Sequence, residues 1–217
     1  VLPGATLIKD TVWTKENSPY LITGDITVSS DVTLTIMAGV EVLFLANSDD
    51  TSDGQNPYNS ELWINGSLVV AGNDDDKVVF TSSNRNGEVG DWGGIRISNG
   101  SASIAHMLME YSDYGIATQD MYDNAVFSIT HSELTNNRQA ISVYSLYTNG
   151  TATVSNNHIH DNADALMNTT INTVLVSGSS VIAGFVNAVL IIFVMFYLLI
   201  DWDQFFSLIK KYLYYFI

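Results

Sequence analysis

Between Ser101 and Leu166 the chain repeats itself three times at a constant step, the one that leads from Ala102 to Phe127 to Ala152. These three form one column of the repeat, and Ile104, Ile129 and Val154 a second. Met109, Leu134 and Ile159 form a third, Ser112, Asn137 and Asn162 a fourth, and Ile116, Ile141 and Leu166 a fifth. Within each copy the apolar residues occur in short alternating pieces, as Phe127 and Ile129 do, separated by Asn-, Ser- and Asp-rich corners. Such alternation between turn-forming clusters is strand and turn chemistry rather than helix chemistry. Three short strands per copy, repeated without drift, describe one coil of a solenoid whose apolar positions stack along an axis. A slip of one residue would turn every column outward. The repeat therefore predicts parallel strands in register, with Met109, Leu134 and Ile159 buried in a stack at about 4.8 Å spacing. Asn137 and Asn162 are expected to point inward and pass amide hydrogen bonds from coil to coil.

The segments before the repeat fit the same scheme with longer excursions. "DVTLTIMAGVEVLF" and "GSLVVAGNDDDKVVFTSS" place alternating apolar residues around a Gly corner, while "LANSDDTSDGQNPYNSE" and "NRNGEVGD" leave the coil as polar loops. The stretch "SLVVAG…KVVFTSS…GDWGGIRIS" resembles the rung pattern of secreted right-handed parallel β-helix proteins. "VSNNHIHDNADAL" is similar to the Asn-rich rungs of the NosD and polysaccharide-epimerase type. Over roughly residues 20–176 this resemblance implies an all-β, right-handed parallel β-helix. It implies no single activity, because that superfamily hosts lyases, epimerases, adhesins and inert scaffolds.

Charge and cysteine content limit the partners. Of 23 acidic residues 21 precede position 181, against six Lys or Arg, a balance that repels nucleic acid and favours cations, sugars or a basic partner. With no cysteine, the fold has no disulfides and any metal site draws on His, Asp, Glu or Met.

Beyond the coil, "VIAGFVNAVLIIFVMFYLLI" is an uncharged run of about 20 residues, the length of a transmembrane helix. Lys210 and Lys211 follow it and place the C-terminus in the cytoplasm, so everything before Val181 faces outward after removal of a signal peptide. The division is then an exported β-helix at 1–176, a linker and membrane helix at 177–200, and an amphipathic interfacial tail at 201–217. Ser180, Gly184 and Ala188 make a small-residue stripe, with Asn187 beside it, suited to packing on a membrane-protein partner. Acceptor sequons stand at Asn65, Asn99, Asn149 and Asn168.

For function, two classes remain. The leading expectation is a non-enzymatic scaffold, binding module or accessory subunit that presents its sheets to a partner or glycan. The alternative is a carbohydrate-active enzyme of lyase, hydrolase or epimerase type, which needs an open cleft with clustered carboxylates and, for a lyase, a nearby strong cation. Arg85, Arg96 and Arg138 are the cations considered for it. Asp120 with Asp123, Asp161 with Asp164, and the run Asn73 to Asp76 are expected to be solvated turns, and Trp63 and Trp92 packing residues at strand ends.

The histidines give the sharpest site expectation. His158 and His160 flank Ile159 and should both point outward. One repeat back lies Glu133 beside His158; two repeats back from His160 lies Glu110, with Thr135 between. His106 and His131 align near the preceding corner. The pattern leaves two readings: a solvated or partner-facing polar sheet, which leads, and a site in which His158, His160 and Glu133, with His131 as a further candidate, hold a divalent zinc- or copper-type ion.

Overall fold

The computed structural model describes residues 1–119, 125–144, 151–168 and 174–177. Within them, each turn of the chain lays down one strand on each of three parallel sheets. The first sheet stacks Ala5–Leu7, Ile26–Val28, Glu61–Ile64, Gly94–Ser98, Ile116–Gln119, Gln139–Val143 and Asp164–Asn168. The second stacks Thr11–Trp13, Thr33–Met37, Ser67–Ala71, Ser101–Ala105, Val126–Thr130, Thr151–Ser155 and Val174–Ser177. Tyr20–Ile22, Glu41–Phe44, Val78–Ser82, Met107–Glu110, Glu133–Thr135 and His158–His160 make the third. Regular coiling thus begins at Ala5, earlier than the segment that carries the sequence resemblance.

The predicted register holds residue by residue. Ala102 pairs Phe127 and Phe127 pairs Ala152; Met109 pairs Leu134 and Leu134 pairs Ile159; Ile116 pairs Ile141 and Ile141 pairs Leu166. Strand alternation sends Phe127 and Ile129 into the core and leaves Val126 exposed. Phe127 lies between two alanines in its column, so its extra volume is matched by small neighbours above and below. Met109 and Leu134 are fully buried; Ile159 is only partly buried, packed against the rim of the core.

Polar ladders line two of the corners. Asn137 Oδ1 accepts from the Ser112 N–H at 3.0 Å, and Asn162 Oδ1 accepts from the Asn137 N–H at 2.9 Å, the expected coil-to-coil chain. Asn137 Nδ2 also donates to the Met109 and Thr135 carbonyls. A second ladder, at the corner before the third sheet, runs from Asn157 Oδ1 to the Ser132 N–H and from Ser132 Oγ to the Met107 N–H. Each ladder residue follows one in the left-handed region: His106, His131 and Asn156 at one corner, Tyr111, Asn136 and Asp161 at the other, with φ from 50° to 63°. The tight left-handed bend leaves backbone groups unpaired, and the next side chain, turned inward, pairs them.

Two excursions leave the coil between the third and first sheets. Residues 45–60 and 83–93 brace each other there, with Asn59 Nδ2 donating to the Gly90 carbonyl and the Asn47 N–H donating to the Asp91 carbonyl. Trp92 is fully buried, stacked on Phe44 at 3.9 Å, and donates its indole N–H to the Glu110 carbonyl, as its reading as a packing residue requires. Among the described residues the only helical element is the short 3-10 turn Lys15–Asn17, and no helix is long and apolar enough to cross a membrane. The hydrophobic run 181–200, the tail 201–217 and the stripe of Ser180, Gly184, Asn187 and Ala188 lie outside the described residues.

Asn137→Ala removes five side-chain hydrogen bonds of the ladder and strands the Ser112 N–H and two carbonyls in the core. Chemical denaturation of the variant should show a loss of about 3–4 kcal/mol. The half-buried Asn162, changed to Ala, should cost less.

Candidate functional site

One register column runs along the middle of the outward face of the first sheet. Thr6 pairs Thr27, Thr27 pairs Trp63, Trp63 pairs Arg96 and Arg96 pairs Ala117. The 45–60 excursion folds back over this face and touches it at Gly54 and Gln55. A cavity of about 440 Å³ opens on one side of the contact, lined by Thr6, Asp25, Thr27, Asp53, Trp63 and Asn65. A second, of about 280 Å³, opens on the other, lined by Gln55, Arg96, Tyr114, Ala117, Gln119 and Tyr144. Together they make a groove across the coils, roofed at its middle by the loop. Trp63 corrects the expectation of a strand-end packing residue: it is half-buried, faces outward and walls the larger cavity. Its period-2 phase, opposite to that of Leu62 and Ile64, is the reason.

Beneath the roof lies a cluster of buried charges. Glu61 is fully buried, with Oε1 accepting from Arg96 Nε at 2.9 Å and Oε2 accepting from the Trp63 indole and the Gln55 N–H. Tyr114 covers the Arg96 guanidinium, its ring centre 4.1 Å away. Asp25 Oδ1 accepts from the Glu61 N–H at 2.6 Å, while the buried Oδ2 has no hydrogen-bond partner. Burial drives the Asp25 carboxyl up to about 7, opposed by that backbone hydrogen bond and reinforced by the charges of Asp49, Glu61 and Asp53. Gly54 closes the roof at φ +71°, where a Cβ would stand 2.5 Å from both Asp25 Oδ2 and Glu61 Oε2, so only glycine fits.

The histidines separate into two pairs. His158 and His160 stack at 4.1 Å on the outer face of the third sheet, with Glu133 in register beneath. Ligand atoms of these three side chains lie within 4.8 Å of one another. His131 does not join them. It occupies the left-handed corner, stacked on His106 at 5.1 Å, with Asn156 at its Nε2. Glu110 sits two coils from His160 and contacts Thr81. Two partners escaped the sequence reading: Lys77, 2.9 Å from Glu133 Oε2, and Asp161, 2.8 Å from His160 Nδ1. Lys77 is the main cause of a lowered Glu133 carboxyl, and Asp161, then Glu133, hold His160 above the ordinary histidine value.

The remaining predicted positions are scattered. Asn73 caps its own turn through the Asp75 and Asp76 N–H groups, and Asp76 pairs Lys15, as a hairpin tip does. Arg138 pairs Asp113. Asn99 is exposed, Asn65 lines the larger cavity, and Asn168 ends its strand in register with Val143. Asn149, Asp120 and Asp123 lie outside the described residues.

Three in-register parallel sheets with Asn-lined corners and a loop-roofed lateral groove define a right-handed parallel β-helix protein. Residues 6–125, more than half of the chain, match the model of the pectate-lyase-like β-helix domain, and the chain belongs to that family. No curated protein and no solved structure matches it.

Asp25 makes stability depend on pH. Below about pH 4 the carboxyl is protonated in both states; as pH rises toward 7 the unfolded chain releases a proton that the folded chain keeps, so folding weakens by about 2–4 kcal/mol. Asp25→Asn keeps the acceptor for the Glu61 N–H and should flatten that slope, seen as a smaller fall in Tm between pH 5 and pH 8 than in the parent chain.

Proposed function

We propose that the chain is a saccharide-binding β-helix module that acts as a scaffold or accessory subunit rather than an enzyme. The groove on the first sheet carries this reading: Trp63 offers an aromatic surface on one side of the roof, while the Tyr114 ring on the other is taken up by Arg96 and Arg138, and Asp53, Asn65, Gln55 and Gln119 supply hydrogen-bonding groups along it. The charge balance argues for a neutral sugar. Arg96, the one cation lining the described groove, is already paired with Glu61, and the acidic surface repels uronates. Glu61 has both oxygens engaged, which speaks against its acting as a catalytic carboxylate.

One observation favours the enzymatic alternative. Asp25, held near pH 7 for deprotonation, and the exposed Asp53 line the same cavity, a proton donor beside a solvated carboxylate. The two readings part on turnover. In native gels containing polysaccharide, the full chain should be retarded by neutral glycans and not by uronates, with Trp63→Ala weakening retention at least 10-fold and no new reducing ends released. Product that accumulates with the parent chain and disappears with Asp25→Asn would replace the module with a hydrolase.

The setting is part of the same proposal. The uncharged run 181–200 is read as the membrane anchor of an exported domain, with Gly184 on its partner-facing stripe and the sequons as glycan acceptors. A glycan on Asn65 would fill the larger cavity and exclude a bound saccharide, so in this reading the acceptors are Asn99, Asn149 and Asn168. The chain should stay with membranes through an alkaline carbonate wash, and removal of 181–217 should release it.

A further inference from the structure

The outer face of the third sheet takes no part in the groove, yet it carries the densest set of metal-type donors among the described residues. We propose that Glu133, His158 and His160 form a binding site for one zinc-class divalent ion, held by Glu133 Oε1, His158 Nδ1 and His160 Nε2.

The register creates the site. His158 and His160, two apart on one strand, share a face, and the parallel pairing sets Glu133 directly opposite His158 on the neighbouring coil. Glu133 Oε1 lies 3.3 Å from His160 Nε2 and 3.9 Å from His158 Nδ1. Ligands bound tetrahedrally at about 2.0–2.1 Å stand about 3.3 Å from one another. One edge of that tetrahedron is already in place; the exposed His158 ring must close the other two, from 3.9 Å to Glu133 Oε1 and from within 4.8 Å to His160.

The surrounding groups orient the donors. With the His160 ring neutral and its proton on Nδ1, Asp161 Oδ2, 2.8 Å away, accepts that hydrogen bond and leaves Nε2 free to bind, the carboxylate–histidine arrangement that supports bound metals. Lys77 holds Glu133 Oε2 and so presents Oε1 as a single donor. In that tautomer His160 Nε2 and Glu133 Oε1, 3.3 Å apart, are both acceptors, and a cation between them replaces the proton that otherwise bridges them. Two imidazoles and one carboxylate suit a borderline ion better than calcium or magnesium, which take oxygen ligands. Because His158 is exposed, the fourth position opens outward, where water or a donor from a second molecule completes it.

The test uses the full chain and zinc chloride in titration calorimetry, with cobalt as a spectroscopic probe. One equivalent should bind at micromolar zinc, and cobalt should give the intense visible bands of a tetrahedral site. His158→Ala and Glu133→Gln should each weaken binding at least 10-fold. Asp161→Asn, which removes no ligand, should weaken it by about 10-fold through loss of orientation. His131→Ala should leave affinity unchanged, since that ring belongs to the corner pair. No binding at micromolar zinc, or the same stoichiometry and affinity in a His158→Ala, His160→Ala double variant, would overturn the site; loss of binding in His131→Ala would overturn the three-ligand assignment. Saccharide retention by the groove is unaffected in either case, so the two proposals stand or fall separately.

Discussion

Parallel backbone pairing between successive coils governs the structure. Once Phe127 is bonded beside Ala102 and Ala152, every neighbour on those strands has its side fixed, inward or outward, and each coil dictates the next. The cost of this order falls on the corners. Non-glycine residues adopt left-handed backbone there, and the inward Ser and Asn side chains recover the hydrogen bonds that the bend forfeits. The core and the polar ladders are therefore one system: the ladders keep the corners at a constant position, and constant corners keep the apolar columns aligned.

The later coils were legible in the sequence because they share one length. Met109, Leu134 and Ile159, the Asn137–Asn162 ladder and the outward pair His158 and His160 all follow from a single constant step. The groove was hidden for the same reason. Its residues belong to coils of unequal length: the steps from Ile26 to Leu62, from Leu62 to Ile95 and from Ile95 to Ile116 all differ, so no fixed interval aligns Thr27, Trp63 and Arg96. Buried Asp25 and Glu61 were equally invisible, since both sit at strand edges in polar sequence and owe their burial to a loop far from Asp25 along the chain. The separation of His131 from its fellow histidines had a signal that could have been read: it precedes Ser132 as Asn156 precedes Asn157, which marks it as a corner residue.

The two candidate sites handle charge in opposite ways. Under the groove's roof, charge is buried and internally compensated, with Glu61 and Arg96 bound to each other and Asp25 raised toward neutrality. On the third sheet, charge stays at the surface and the donors are held by register and by single partners, Lys77 and Asp161. The first arrangement gives shape and hydrogen bonding to a bulky, uncharged ligand; the second gives a compact focus for a small cation.

The excursions at 45–60 and 83–93 leave the coil at the same corner on neighbouring turns and lean on each other through Asn59 and Asn47. Changes of length confined to the loop tips leave the strands paired, because each excursion returns the chain to the same register on the first sheet, while Trp92, buried and bridged to Ser112, belongs to the frame. Ligand preference in such a molecule can drift by insertion and deletion at one corner, while the repeat changes by point substitution alone. Heredity then acts on frame and roof by different kinds of mutation, and two descendants of this chain could diverge in what they bind while remaining superimposable along every strand.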